Sequence, residues 1–387
     1  MTIRLRRGHQ LVALAAATSV LLSGCAGGDT GDGPSDEVVV TVDPTQAAGV
    51  VVPERRFFSD SSPWNRRIDT SRADPRSDDM ISFAQERVGV IERPGSKNQI
   101  ITRDLVDDGL YINTTRWTVP VVAGGRPTSL VCRQLVCGDG EDTTVLNIPD
   151  DVDPDPRYDG WYTVFDTSAS VAYDLWRARR ESDDTISYNY MRKWDLNGPG
   201  YSDPWTEGAR GSGLPLFAGL IRPGELESGE IQHALAISVP GPAAGIFVRP
   251  ASSTDGNGRA RSLPEGARIR LKRDVVLPAP RDPRTGKLIK LTKQQQRMAD
   301  AIVACLRTYG AIVVDRAAVP TLYAQRDVTE GLITGNELQG LTLDDFEVLP
   351  LGQRYHYPPE EDELDTADGA SPSASPTGSP TEGGAAQ

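Results

Sequence analysis

Between residue 57 and residue 355 the chain repeats one pattern: short runs of apolar, β-branched and aromatic residues, each cut off by Gly, Pro, Asn or Asp. Runs of that length and composition read as strands, and a chain built from them must satisfy its backbone groups by pairing in sheets. Gly160 to Asp166 and Ser170 to Trp176 are two such runs, joined by Thr167-Ser-Ala, and they predict a hairpin. Thr185 to Trp194 reads as a third strand, and Glu230 to Val239, Gly245 to Arg249, Arg268 to Leu277 and Ala311 to Asp315 add more. Helical spacing is clear in one stretch. Thr292 and Gln295 make a capping-box pair, Met298, Ala301, Ile302, Cys305, Leu306 and Tyr309 recur along one face, and Gly310 supplies the stop. Asp78 to Val88 predicts a shorter second helix. Strands outnumber helices, so the expected fold is β-rich, all-β or α+β, with a sandwich or jelly-roll-like sheet core and a few packed helices.

The two ends are of a different kind. Arg4, Arg6 and Arg7 precede the apolar stretch Leu11 to Leu22, which stops at Ser23-Gly24-Cys25. A basic patch, an apolar core and small residues are the three parts of an export signal, and the apolar core falls short of the roughly 20 residues that span a bilayer. Leu22-Ser-Gly-Cys25 resembles the lipobox of bacterial lipoproteins. That resemblance implies that residues 1–24 are a signal peptide, that Cys25 carries lipid, and that residues 25–56 tether the protein to the extracytoplasmic face of the cell membrane. Residues 356–387 turn acidic and then Ser-, Pro-, Thr- and Gly-rich, a composition that reads as a disordered tail. The globular part is expected over residues 57–355.

The chain carries 41 basic and 54 acidic residues, a net charge of −13. Loss of the signal removes three arginines and no carboxylate, which brings the charge to −16. An acidic surface repels phosphate backbones, so nucleic acid is not an expected partner; the membrane, through the lipid, is. In an oxidising compartment Cys132 and Cys137 are expected to close a local disulfide, since a metal site at that pair would need a second pair of ligands nearby. Cys305, on the apolar stripe of the helix, is expected to be a buried thiol. The usual zinc spacings need more histidines or cysteines than are present, and no Gly-rich phosphate loop or nucleophile elbow appears, so neither a metal nor a cofactor is expected. Arg210-Gly-Ser-Gly213 reads only as a flexible turn.

Three groups of residues are candidates for chemistry. Alternation along Ile231 to Val239 puts His233 on the same face as Ile231, Leu235, Ile237 and Val239, where an inward imidazole serves either as an acid or base or as a hydrogen-bonded core residue. Asp166, Asp174, Asp195 and Asp315 stand in or at the ends of strands; sugar hydrolysis needs two carboxyls at a fixed separation, whereas aspartates at strand ends also serve to satisfy turn backbone. Asp315 and Asp166 are carried forward as catalytic candidates with His233. Tyr188, Tyr190, Arg192 and Trp194 alternate onto one strand face, a pattern that suits stacking on sugar rings with the arginine meeting a sugar carboxylate, or equally a cross-strand ladder.

Ser62-Pro-Trp-Asn65, Gly213 to Leu235, Leu263 to Leu271 and Tyr309 to Asp315 resemble the ordered landmarks of a largely uncharacterised family of secreted proteins of soil bacteria, often found beside carbohydrate-associated modules. The resemblance spans most of residues 57–350. It implies that His233 and Asp315 are motif positions and that the setting is an extracellular polysaccharide. The chain departs from the pattern where relatives carry a histidine after the Ile-Phe-Val segment and an asparagine after the aspartate; here stand Ser252 or Ser253 and Arg316. The function expected from these features is that of a membrane-anchored lipoprotein binding an envelope polysaccharide, with its cleavage left open. The rival expectation is a non-catalytic envelope scaffold or protein-docking module.

Overall fold

The computed structural model describes residues 56–361 and 363, apart from 93–98, 141–143 and 328. The expected signal peptide, lipidated Cys25, tether up to residue 55 and tail from 364 lie outside the described residues. Within them, strands dominate and the architecture is sandwich-like.

A central sheet of six strands runs in the order Phe346–Val348, Arg268–Leu271, Ala311–Arg316, Leu235–Val239, Thr321–Tyr323, Tyr111–Asn113. Its two middle strands, Leu235–Val239 and Ala311–Arg316, are parallel. Both read as unbroken apolar runs because both of their faces are covered. Leu235, Ile237, Val239, Ala311 and Val313 pack under the helices Ser77–Ala84 and Lys293–Thr308 through Met80, Ile81, Met298, Ile302 and Leu306. Ala236, Ile312 and Val314 face the other way, into a cluster with Trp64, Phe165, Trp194 and Phe217. Each fully buried aliphatic or aromatic side chain of this kind contributes about 1.5–3 kcal/mol.

That second cluster is roofed by a sheet of Tyr190–Asp195, Val171–Trp176, Tyr162–Asp166 and Val121–Ala123. Its opposite face, through Val122, Tyr162, Val164, Leu175 and Met191, packs on Leu130, Leu146, Ile148, Ile186 and Tyr188 of a third sheet. The layers are therefore helices, sheet, sheet, sheet. Among the described residues, no helix is long and apolar enough to cross a membrane.

The expected elements are present with shifted borders. The long helix is Lys293–Thr308, capped by Thr292 Oγ1 accepting from Gln295 N at 3.1 Å, and Gly310 follows at φ +66°. The hairpin forms with Asp166 paired to Val171. The expected strand Thr185 to Trp194 is two strands, Ile186–Tyr188 and Tyr190–Asp195, in different sheets. It divides at Asn189 because Met191 N donates to Cys137 O at 3.0 Å and Asp139 N to Met191 O at 2.9 Å, so the loop closed by the Cys132–Cys137 disulfide takes its edge. The helix expected over Asp78 to Val88 ends at Ala84, and the β-branched run after it pairs instead with Gln99–Leu105. The fold also continues past residue 355. Arg354–His356 pairs with Ile246–Val248, and Tyr357 N donates to Gly245 O at 3.0 Å, so the first residues assigned to the tail belong to the folded part.

Candidate functional site

The central sheet breaks its regular alternation at one place. Ile237 pairs with Val313 but Ser238 pairs with Asp315, so Val314 is the extra residue of a β-bulge. Regular alternation would send Asp315 toward the helices with Ala311 and Val313; the bulge turns it to the side of Ser238 and Ile312 instead. There it opens into a cleft of about 410 Å³ whose walls include Trp161, Trp176, Tyr190, Tyr357, Arg210 and Asp255. A one-residue irregularity thus moves a carboxylate from the core to the floor of a cavity.

Two more acids meet Asp315. The turn Leu263-Pro-Glu-Gly-Ala267 closes with Ala267 N on Pro264 O at 3.1 Å, while Val248 N donates to Glu265 O at 3.0 Å and Gly266 N to Val313 O at 2.8 Å. The turn is thereby stitched between two strands, and Glu265 is fully buried. Gly266 has no substitute there: its φ is +86° and a Cβ would lie 1.7 Å from Val248 O. Asp255 comes from the loop after Ile246–Val248 and is exposed at the cleft, where Arg316 Nε donates to its Oδ2 at 3.1 Å. One carboxylate oxygen from each of Asp255, Glu265 and Asp315 lies within 4.8 Å of the other two.

Burial and the nearness of other acids suppress the ionisation of Asp315 and Glu265. Burial, then the charge of Asp255, pushes the Asp315 carboxyl up to about 7, with Arg210 pulling the other way. Burial, then Asp255 and Asp315, pushes Glu265 well above the carboxylate range. Asp159, also on the cleft wall, is raised by burial. Three oxygen donors at this spacing also fit the ligand type of a hard divalent cation, a grouping not foreseen from the sequence. Positive charge is already supplied there by Arg316 on Asp255 and by Arg210 near Asp315.

No family model, curated protein or solved structure matches this chain. The site therefore rests on its own geometry. That geometry separates the residues singled out from the sequence. Leu235 pairs with Ala311, so His233 stands before the start of the parallel strands and Asp315 near their far end, ~13 Å or more along. His233 lies in a loop rather than in the strand, and lines a separate pocket of about 10 Å³, room for one water, beside Trp64, Asn65 and Arg222. Its Nδ1 lies 2.9 Å from Ala234 O and its Nε2 2.9 Å from Glu225 Oε1. Despite burial, which works the other way, the charges of His233 and Arg222 hold the Glu225 carboxyl down at about 2. The landmark around Trp64 is a clamp: Trp64 Nε1 donates to Gly200 O at 2.8 Å, Ala234 N donates to Trp64 O at 2.7 Å, and Asn65 Nδ2 donates to Phe57 O and Ser59 O at 2.8 and 2.9 Å.

Asp166 closes the hairpin loop, accepting from Ser168 N, Ser168 Oγ and Ala169 N at 3.1, 2.6 and 3.2 Å, and lines no part of the cleft. Asp174 is fully buried between two sheets, taking bonds from Thr163 Oγ1, Trp194 Nε1 and Leu216 N at 2.5, 2.8 and 2.7 Å; burial, against those bonds, raises it to about 6. Asp195 accepts from Asn197 N at 2.8 Å in a turn. The aromatic face is dispersed. Tyr188 is in the core of the third sheet and Trp194 is buried against Asp174. Arg192 is held by Asp139 at 3.0 Å and Ser202 at 3.0 Å, and only Tyr190 reaches the cleft. Cys305 is buried, with its thiol on His233 O at 3.1 Å.

Asp255, Glu265 and Arg210 were not recognised in the sequence. The available signals were a glutamate between Pro264 and Gly266 in an otherwise apolar segment, and the Arg210-Gly-Ser-Gly213 turn. Ser253 and Arg316, at the positions where the chain departs from the family it resembles, both line the cleft.

Proposed function

We propose that this chain is a lipoprotein anchored through Cys25 to the outer face of the cell membrane, and that it binds and cleaves an envelope polysaccharide in the Asp315 cleft. The observation that carries the proposal is the group of crowded carboxyls at the floor of an open cleft walled by Trp161, Trp176, Tyr190 and Tyr357. The part-exposed flat rings of Trp176, Tyr190 and Tyr357 suit the apolar faces of sugars. A carboxyl kept protonated near neutral pH beside a second carboxylate is the pairing that glycoside hydrolysis uses. With oxygens within 4.8 Å of one another, the carboxyls are nearer than the roughly 6.5–9.5 Å used to admit a water directly, which favours the route through a covalent intermediate. Asp315 gives its proton to the glycosidic oxygen as the C–O bond breaks, while Asp255 Oδ forms a bond to the anomeric carbon. Water then displaces Asp255 and returns a proton to Asp315. Arg316 holds Asp255 in place for the attack.

A glycan array bearing envelope polysaccharides, followed by product analysis on the best-retained one, tests this. Retention together with shortened products is expected, and Asp315→Asn is expected to keep retention and lose the products. Failure to retain any envelope polysaccharide would remove the proposal.

A further inference from the structure

Arg210 is 5% exposed and lines the cleft, yet among the described residues its Nε, Nη1 and Nη2 have no hydrogen-bond partner. The other arginines buried to a similar depth each meet a carboxylate: Arg222 meets Glu225, Arg270 meets Glu347 and Arg326 meets Asp327. What holds Arg210 is a pair of rings, Trp161 and Tyr323, whose centroids lie 5.2 and 5.3 Å from its guanidinium carbon. Such cation–π contacts hold the guanidinium between the rings and leave its donors unused. Ser212 Oγ, on the same loop and fully buried, is also without a partner. The loop is fitted tightly: a Cβ on Gly211 would lie 2.3 Å from Asp255 Oδ1, and one on Gly213 2.1 Å from Ser252 Oγ. The acids nearby feel the charge of Arg210 at a distance, Asp315 and Asp174 among them, but none is bonded to its donors. None lies within ion-pair distance of Arg210 among the described residues, and the crowding described above favours the protonated forms of Asp315 and Glu265. A desolvated guanidinium with idle donors in a water-open cleft is a site for an oxyanion that arrives with the ligand.

We infer that the cleft is specific for an acidic glycan, one whose sugar-borne oxyanion, a uronate carboxylate or a phosphodiester, docks on Arg210. The inference rests on the reading that the cleft takes a polysaccharide. It transfers to Arg210 the role that sequence alternation suggested for Arg192, which Asp139 already occupies.

Calorimetric titration of the folded protein at low salt, with three probes, tests it: a polyuronate oligomer, the same oligomer with its carboxyls reduced to alcohols, and a phosphodiester-linked glycan. One acidic probe is expected to bind about 10- to 100-fold more tightly than the neutral one, the range of a charge-assisted hydrogen bond, and whichever does so names the oxyanion. Arg210→Gln is expected to bring that probe down to the neutral level, and Arg210→Lys, which keeps charge but loses the fork, to retain part of the gap. Equal affinities for acidic and neutral oligomers in the unaltered protein would overturn the inference while leaving polysaccharide binding intact, as would an undiminished gap in Arg210→Gln. Binding of none of the probes would overturn both. Should Arg210→Gln fail to fold, the unaltered protein and Arg210→Lys still decide the matter.

Discussion

At the scale of single residues, the fold sets protonation by deciding which charges meet. Asp315 and Glu265 have raised pKa values, so ionising them costs the folded state something the unfolded chain does not pay. For Asp315 the cost grows as pH rises from 3.8, where the unfolded carboxyl ionises, to about 7. Asp315→Asn is therefore expected to raise the thermal midpoint at pH 8 and leave it unchanged at pH 3, as followed by circular dichroism. The same substitution is expected to cut polysaccharide cleavage by about 10²- to 10⁴-fold, the usual range for losing a proton donor. Cleavage by the unaltered protein should fall as pH rises through about 7, because the donor must hold its proton. Glu225 has the opposite sign. Its folded-state pKa is lowered from 4.5 to about 2, so its contribution is complete above pH 4.5 and is lost as pH falls through that window. Glu225→Gln should destabilise the protein by about 2–3 kcal/mol at pH 7 and by much less near pH 2, measured by urea unfolding.

At the scale of elements, sequence periodicity carried far for isolated pieces and failed where pairing partners intervened. The helix ending before Gly310 and the hairpin around Asp166 depend on local spacing and turn chemistry, and both were legible. The division of the strand at Asn189 depends on a distant disulfide loop that claims Met191, and no local pattern announces it. The bulge at Val314 is of the same kind. Alternation read along Ala311 to Asp315 alone places Asp315 on the wrong face, and only its register against Leu235–Val239 corrects it. Gly266 is the position where the site is most exposed to a small change. Gly266→Ala is expected to destabilise the protein by about 3 kcal/mol or more, through a left-handed φ and a collision with the backbone of Val248, and to displace Glu265. A chemical denaturation curve reads the first effect, and loss of glycan retention by the fraction that remains folded reads the second.

At the scale of the molecule, three stacked sheets and a helical layer create a cleft whose residues are scattered along the chain. Asp159, Arg210, Asp255 and Asp315 on its walls, with Glu265 buried behind them, share no spacing that a one-dimensional reading detects, and of these only Asp315 was singled out, as the end of a strand. His233 looked equivalent on local pattern, yet the parallel register places it toward the opposite end of the same sheet, in a polar node with Glu225 and Trp64 rather than in the cleft. The location proposed for the whole protein is checked separately: Cys25→Ser should release it from the membrane fraction into the soluble fraction, and intact mass should show acyl chains on Cys25 of the unaltered protein. The central claim is that the Asp315 cleft cuts an envelope polysaccharide. Its most direct test is the release of new reducing ends from purified envelope polysaccharide, comparing the unaltered protein with Asp315→Asn at matched folded concentration. The account predicts steady release by the first and almost none by the second; release at equal rates by both, or by neither, would contradict it.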